Sequence, residues 1–110
     1  MGRESNKWID FNFYGHQIVA HYSPDDCKEY SANIVDGHKI PPRHFGVILS
    51  WVEWEQLCKH IRKMTIDFFI KPKVRFKGKI GEQGTFFIKD PSGNVLEFKC
   101  FKNDNEIFRK

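Results

Sequence analysis

The stretch Gly84–Phe101, GTFFIKDPSGNVLEFKCF, constrains this chain more than any other segment. Two runs of aromatic and aliphatic residues flank Asp-Pro-Ser-Gly-Asn, which breaks strands and favours a tight turn, so the segment reads as a β-hairpin. One carboxylate, Glu97, interrupts the second run. Period-two alternation puts Leu96, Phe98 and Cys100 on one face and Val95, Glu97, Lys99 and Phe101 on the other. The first set makes the packed face. Glu97 then looks into whatever the concave side of the sheet encloses, where a desolvated carboxylate is costly without a partner. A solvent-facing Glu on an exposed strand is the alternative on these residues alone.

Upstream, the apolar pattern changes period. Trp8–Tyr14 and Gln17–Tyr22 are short β runs joined at Gly15-His16, a second hairpin. Residues 23–42 are polar and hold four of the turn-forming residues Pro and Gly, so they read as a long loop with one helical turn after Ser23-Pro24. His44–Ser50 is a strand with Phe45, Val47 and Leu49 on one face. Val52–Met64 is a helix opened by a Ser50/Glu53 capping box, with Trp54, Leu57, Cys58, Ile61 and Met64 as its buried stripe. Lys71–Lys79 is expected to be a strand whose alternating Lys71, Lys73, Arg75, Lys77 and Lys79 form a solvated basic face. The tail from Lys102 is charged and is expected to fray.

From His44 onward the order is β-α-β-β-β. The early hairpin echoes the late one, because Phe11 precedes His21 by the same interval as Phe87 precedes Glu97. This reads as two copies of one module, the first without its opening strand and helix. The fold class is therefore α+β in a single domain over 1–110. Residues 7–22 are the hairpin of the shortened first module, 23–43 a linker loop, and 44–102 a complete βαβββ module. At 110 residues such a domain can form one core.

A net charge of +4 is well short of the Arg/Lys loading of a dedicated nucleic-acid binder, so no nucleic acid is expected as a partner. No apolar run reaches membrane-spanning length, so no membrane partner is expected either. Cys27, Cys58 and Cys100 are odd in number and lack CxxC spacing. They read as reduced thiols of a cytoplasmic protein.

DPSGNVLEF after an aromatic strand, with HFGVIL opening a βαβββ unit, resembles the vicinal oxygen chelate superfamily of glyoxalases, extradiol dioxygenases and bleomycin- or fosfomycin-resistance proteins. The resemblance implies two modules cupped around a divalent metal (Fe, Mn, Zn or Ni, and absent in some members), with ligands from the first and last strands of each module. Carried over by position, it implies His21, His44 and Glu97 as metal ligands. It also implies glyoxalase-type lyase or ring-cleaving dioxygenase chemistry on a small substrate with vicinal oxygens. A metal-free binding module of the resistance type is the rival reading, with Trp8, Tyr14 and Phe101 as substrate contacts, and an inactive shortened homologue is another. No general base is assigned.

A hydrogen-bonded structural role competes with the ligand role for His21. His16 reads as structural or exposed, Glu82 and Gln83 as a plain turn, and Cys100 as core. Ile9, Phe11 and Phe13, continued by Ile18 and Ala20, form an apolar face without a helix to cover it. A homodimer that covers this face is the expected assembly.

Overall fold

Alternating apolar residues between Gln83 and Phe101 form the two central strands of a four-stranded sheet. The computed structural model describes residues 2–27, 33–35, 38–40 and 43–109. Strands β1 (Trp8–Phe13) and β2 (His16–His21) come first, then β3 (Asn33–Val35), β4 (His38–Ile40) and β5 (Phe45–Leu49). Helix α1 (Trp51–Lys63) leads to β6 (Ile70–Arg75), β7 (Gln83–Lys89) and β8 (Val95–Phe101). The sheet order is β5-β8-β7-β6, with β5 parallel to β8 and the other pairs antiparallel.

The β7–β8 turn is held as its composition demands. The Asp90 carboxylate accepts from the backbone N–H groups of Ser92 (2.9 Å) and Asn94 (2.8 Å), and Gly93 takes a φ of +88°. Phe87 then stands opposite Glu97, and Phe86 opposite Phe98.

Helix α1 starts where the capping box puts it. Ser50 Oγ accepts from Glu53 N–H, and Glu53 Oε1 accepts from Ser50 N–H, both at 3.2 Å. Trp54, Cys58 and Ile61 bury against Leu49, Phe86, Phe98 and Cys100 to make the core. Phe86 and Phe98 stack at 5.1 Å, and Trp54 Nε1 donates to the Phe98 carbonyl at 2.9 Å. Each such large apolar side chain contributes ~1.5–3 kcal/mol by leaving water. Met64 does not extend the stripe: it caps the helix and is 54% exposed.

The first hairpin turns at Tyr14-Gly15, both left-handed (φ +53° and +86°), as the two-residue turns that suit strand twist require. Its tip leans on the helix side of the sheet, with Phe13 edge-on to Phe45 (6.4 Å) and Phe98 (5.9 Å).

Three expectations are corrected. The helical turn expected after Ser23-Pro24 is present as a 3₁₀ turn at Pro24–Asp26, but the segment read as a loop also contains the antiparallel pair β3–β4; residues 28–32, 36–37 and 41–42 lie outside the described residues. Strand β6 stops at Arg75 because Phe76 turns left-handed (φ +55°), so Lys77 and Lys79 belong to the connection that follows. The tail is also anchored. Lys102 N–H donates to the Glu82 carbonyl at 2.9 Å, and the Glu106 carboxylate accepts from Gly81 N–H.

Candidate functional site

Glu97 lies mid-strand in β8, flanked by Gly46 of β5 and Phe87 of β7. Its side chain is only 15% exposed, and the neighbours supply the partners that a desolvated carboxylate needs. Thr85 Oγ1 donates to Oε2 at 2.6 Å, and Lys99 Nζ lies 3.7 Å from the same oxygen. His44 Nε2 lies 3.4 Å from Oε1. The alternation read from the sequence is therefore what aims Glu97 away from the core.

The local fold explains each partner. Thr85 and Lys99 are directly opposed across β7 and β8, so both side chains share the Glu97 face. His44 immediately precedes β5 and lies two residues before Gly46, which is in register with Glu97. Its ring meets the edge of Phe87 at 5.3 Å and 72°. Gly46 permits the approach, since a Cβ there would fall 1.6 Å from the Glu97 carbonyl oxygen.

Beyond β5 a groove of about 600 Å³ separates the four-stranded sheet from the first hairpin. Gly46, Ile48, Glu97 and Lys99 line the sheet wall, and Phe13, His16 and Ile18 line the hairpin wall. His16 is exposed, as expected, and its place on the face opposite His21 makes it the hairpin's imidazole at the groove. His21 is not brought there. It ends β2 opposite Trp8, and strand alternation sets it on the face of Gln17 and Val19, away from that of His16 and Ile18. Gln17 on that face donates to the Asp10 carboxylate at 2.9 Å.

The donor set fits a metal ion in part. Two ligands held at ~2.1 Å and the tetrahedral angle stand ~3.4 Å apart, so His44 and Glu97 have the spacing of neighbouring ligands. One nitrogen and one oxygen donor suit Zn, Fe, Mn or Ni. Among the described residues no group of three His, Cys, Asp or Glu side chains could hold an ion, so His21 does not complete this pair.

The three expected substrate contacts separate. Tyr14 packs its ring on Phe98 at 6.5 Å, and its hydroxyl pKa is raised by burial and then by the Glu53 carboxylate. It fastens the hairpin tip on the helix side. Trp8 is half-buried at the start of β1, at the opposite end of the hairpin from its tip. Phe101 alone lies on the concave side, where it lines a second cavity together with Lys99, Arg75 and Gln83. Thr85 and Lys99 carried the best missed signal, as polar residues in otherwise apolar strands on the Glu97 face. The Cys100 thiol is fully buried, and burial pushes its pKa up to about 11. Among the described residues no helix is long and apolar enough to cross a membrane.

No protein-family model matches the chain, and a search of the curated proteins found no match either. Solved structures do match. The chain is similar to a glyoxalase/bleomycin resistance protein/dioxygenase from Alicyclobacillus acidocaldarius, with 33% identity and a TM-score of 0.77 over 97% of this chain and 76% of that one. It shares its fold with the fosfomycin resistance protein FosX from Listeria monocytogenes (13% identity, TM-score 0.64, 90% of this chain and 69% of that one). The same holds for a lactoylglutathione lyase from Agrobacterium tumefaciens (13% identity, TM-score 0.55, 91% and 72%). With this similarity added to the β-α-β-β-β module and its concave carboxylate, the chain belongs to the glyoxalase/bleomycin resistance protein/dioxygenase family, within the vicinal oxygen chelate superfamily.

Proposed function

We propose that the chain is a divalent-metal-dependent enzyme acting on a small substrate with adjacent oxygens, with His44 and Glu97 as the protein ligands. The single observation that carries this reading is the 3.4 Å approach of His44 Nε2 to a Glu97 carboxylate whose other oxygen is held by Thr85. A bound metal would supply Lewis-acid polarisation of the substrate oxygens. The chain's own residues do the positioning. Thr85 fixes the carboxylate rotamer, and Phe87 sets the plane of the His44 ring. Lys99 places a positive charge beside the groove where an oxygen-rich substrate would sit. The family's lyase and resistance members support the substrate class.

Titration of the purified protein with Mn²⁺ tests the reading. Binding is expected in the parent and its loss in Glu97→Gln and His44→Ala. Thr85→Val should weaken it roughly 10–100-fold, as lost outer-shell support does. His21→Ala should bind like the parent. Undiminished metal content in His44→Ala would remove His44 from the site.

The rival reading is metal-free sequestration of a small molecule in the groove. The lack of a three-donor group among the described residues favours it. Ligand binding that survives chelation and is unchanged in Glu97→Gln would select it.

A further inference from the structure

The connection between β6 and β7 presents apolar side chains to water. In Phe76-Lys77-Gly78-Lys79-Ile80 both apolar ends and both lysines are exposed, Ile80 at 65%. Phe108, on the C-terminal segment, is 92% exposed. Its neighbours Ile107 and Arg109 line the same cavity as Phe76 and Ile80, so the two segments form one surface. We propose that this surface docks on a membrane rich in anionic lipid and lies in its headgroup layer. A contact of this kind needs no spanning run, the sole ground on which the sequence gave no reason to expect a membrane partner. It is independent of the metal reading.

The connection is held in this shape by the fold. Phe76 takes a left-handed φ of +55°, a conformation that bulky side chains resist. Lys79 N–H donates to the Phe76 carbonyl at 2.9 Å, and the Glu82 carboxylate accepts from Gly78 N–H at 2.8 Å. The Glu106 carboxylate accepts from Gly81 N–H. A strained residue kept in place at a loop tip, with apolar side chains turned outward, points to a surface that the fold is built to display.

The charges sort in the same way. Arg75 overlies the Phe76 ring at 4.9 Å and is not counted among the cations offered to lipid. Glu82 and Glu106 are turned onto the backbone N–H groups just named, and Lys102 Nζ lies 3.9 Å from Glu82. Asp104, exposed in the tail, is set against Arg109. Lys77 and Lys79 then stand at the tip itself, each next to an exposed apolar residue. That interleaving suits a bilayer, where apolar tips enter the acyl boundary while lysine stems carry their ammonium groups back to the phosphates. A protein interface is depleted in lysine, and a nucleic acid would find in Ile80 no ring to stack on.

The test is flotation of the full chain with vesicles of phosphatidylcholine, alone or with about one-third phosphatidylserine. Saturable binding to the anionic vesicles is expected, roughly tenfold tighter than to the neutral ones and weakened by salt. Lys77→Gln and Lys79→Gln should each weaken it about fivefold, and Ile80→Ser and Phe108→Ser each about tenfold. Tyr22→Ser, which removes an exposed ring just after β2, should bind as the parent does. These side chains are all exposed, so the variants should keep the parent's melting temperature. His44→Ala should also bind like the parent, which separates this result from the metal reading. Absence of binding to the anionic vesicles, or unaltered affinity in Lys79→Gln and Ile80→Ser, would overturn the proposal. Binding of a duplex oligonucleotide without binding of vesicles would overturn it as well, by assigning the patch to nucleic acid.

Discussion

Replacing Gly46 with alanine tests the strand contact on which the His44–Glu97 pairing depends. A Cβ at Gly46 would lie 1.6 Å from the Glu97 carbonyl oxygen, 2.6 Å from its carbonyl carbon and 3.1 Å from its amide nitrogen. These are backbone atoms, which cannot rotate away. Even the close C–H···O contacts between strands keep carbon and oxygen ~3.3 Å apart, so β5 has to withdraw by roughly 1.7 Å. A ladder bond of ~2.9 Å stretched by that amount is no longer a hydrogen bond. Losing the bonds flanking Gly46 at ~1 kcal/mol each, with some loosening of Val47 and Leu49, comes to about 3 kcal/mol. For a domain of this size that lowers Tm by roughly 12–18 °C. Gly78→Ala is the control. It has the left-handed φ of +75° but no heavy atom within 4 Å of the added methyl, so only the backbone conformation resists it, at ~1 kcal/mol. Thermal melts followed by circular dichroism compare the two. If Gly46→Ala melts no lower than Gly78→Ala, the close approach of β5 to β8 is wrong.

Other outcomes follow from burial and charge. Iodoacetamide at neutral pH should label the exposed Cys27 alone in the folded protein, with three adducts after denaturation, because Cys58 and Cys100 are buried and their thiols are held protonated. Labelling of native Cys100 in a mass spectrum would contradict the packing. The Cys100 pKa also has a sign that can be checked. Raised from 9.0 to about 11 mainly by burial, it favours the folded state fully below pH 9 and loses that contribution as the pH climbs towards 11. Urea midpoints across that window should fall less steeply in Cys100→Ala than in the parent. Phe11 remains 40% exposed on the apolar hairpin face, so sedimentation at micromolar concentration should give a dimer that Phe11→Ser weakens, and a well-folded monomer would refute the pairing.

What could be read from the sequence was whatever local chemistry sets without help from distant residues. The Ser50/Glu53 capping box fixed where α1 begins, and the helical spacing of Trp54, Cys58 and Ile61 named its buried face. Asp90 and Gly93 fixed the last turn, and with it the Phe87–Glu97 register. The basic stripe failed because period two describes a strand only while the chain remains one. Phe76 takes a left-handed backbone that no propensity of Phe predicts, so Lys73 and Arg75 belong to β6 while Lys77 and Lys79 fall in the connection. Gln83 was equally hidden, since its burial depends on a C-terminal segment folding back on the β6–β7 connection.

The misplacement of His21 has a more exact cause, and it lies in turn length. Phe87 and Glu97 share a face because they are cross-strand partners across a five-residue connection, 90–94. Phe11 and His21 are separated by the same interval, but their strands are joined by only Tyr14-Gly15. The partner of Phe11 is consequently Ile18, three residues before His21. Three is odd, so His21 sits on the opposite face from the residue it was matched with. The same parity brings His16, the partner of Phe13, onto the face that lines the groove with Glu97. Comparing two hairpins by sequence spacing therefore holds only when their turns are equal in length; otherwise it is the pairing register that says which side chain reaches the site.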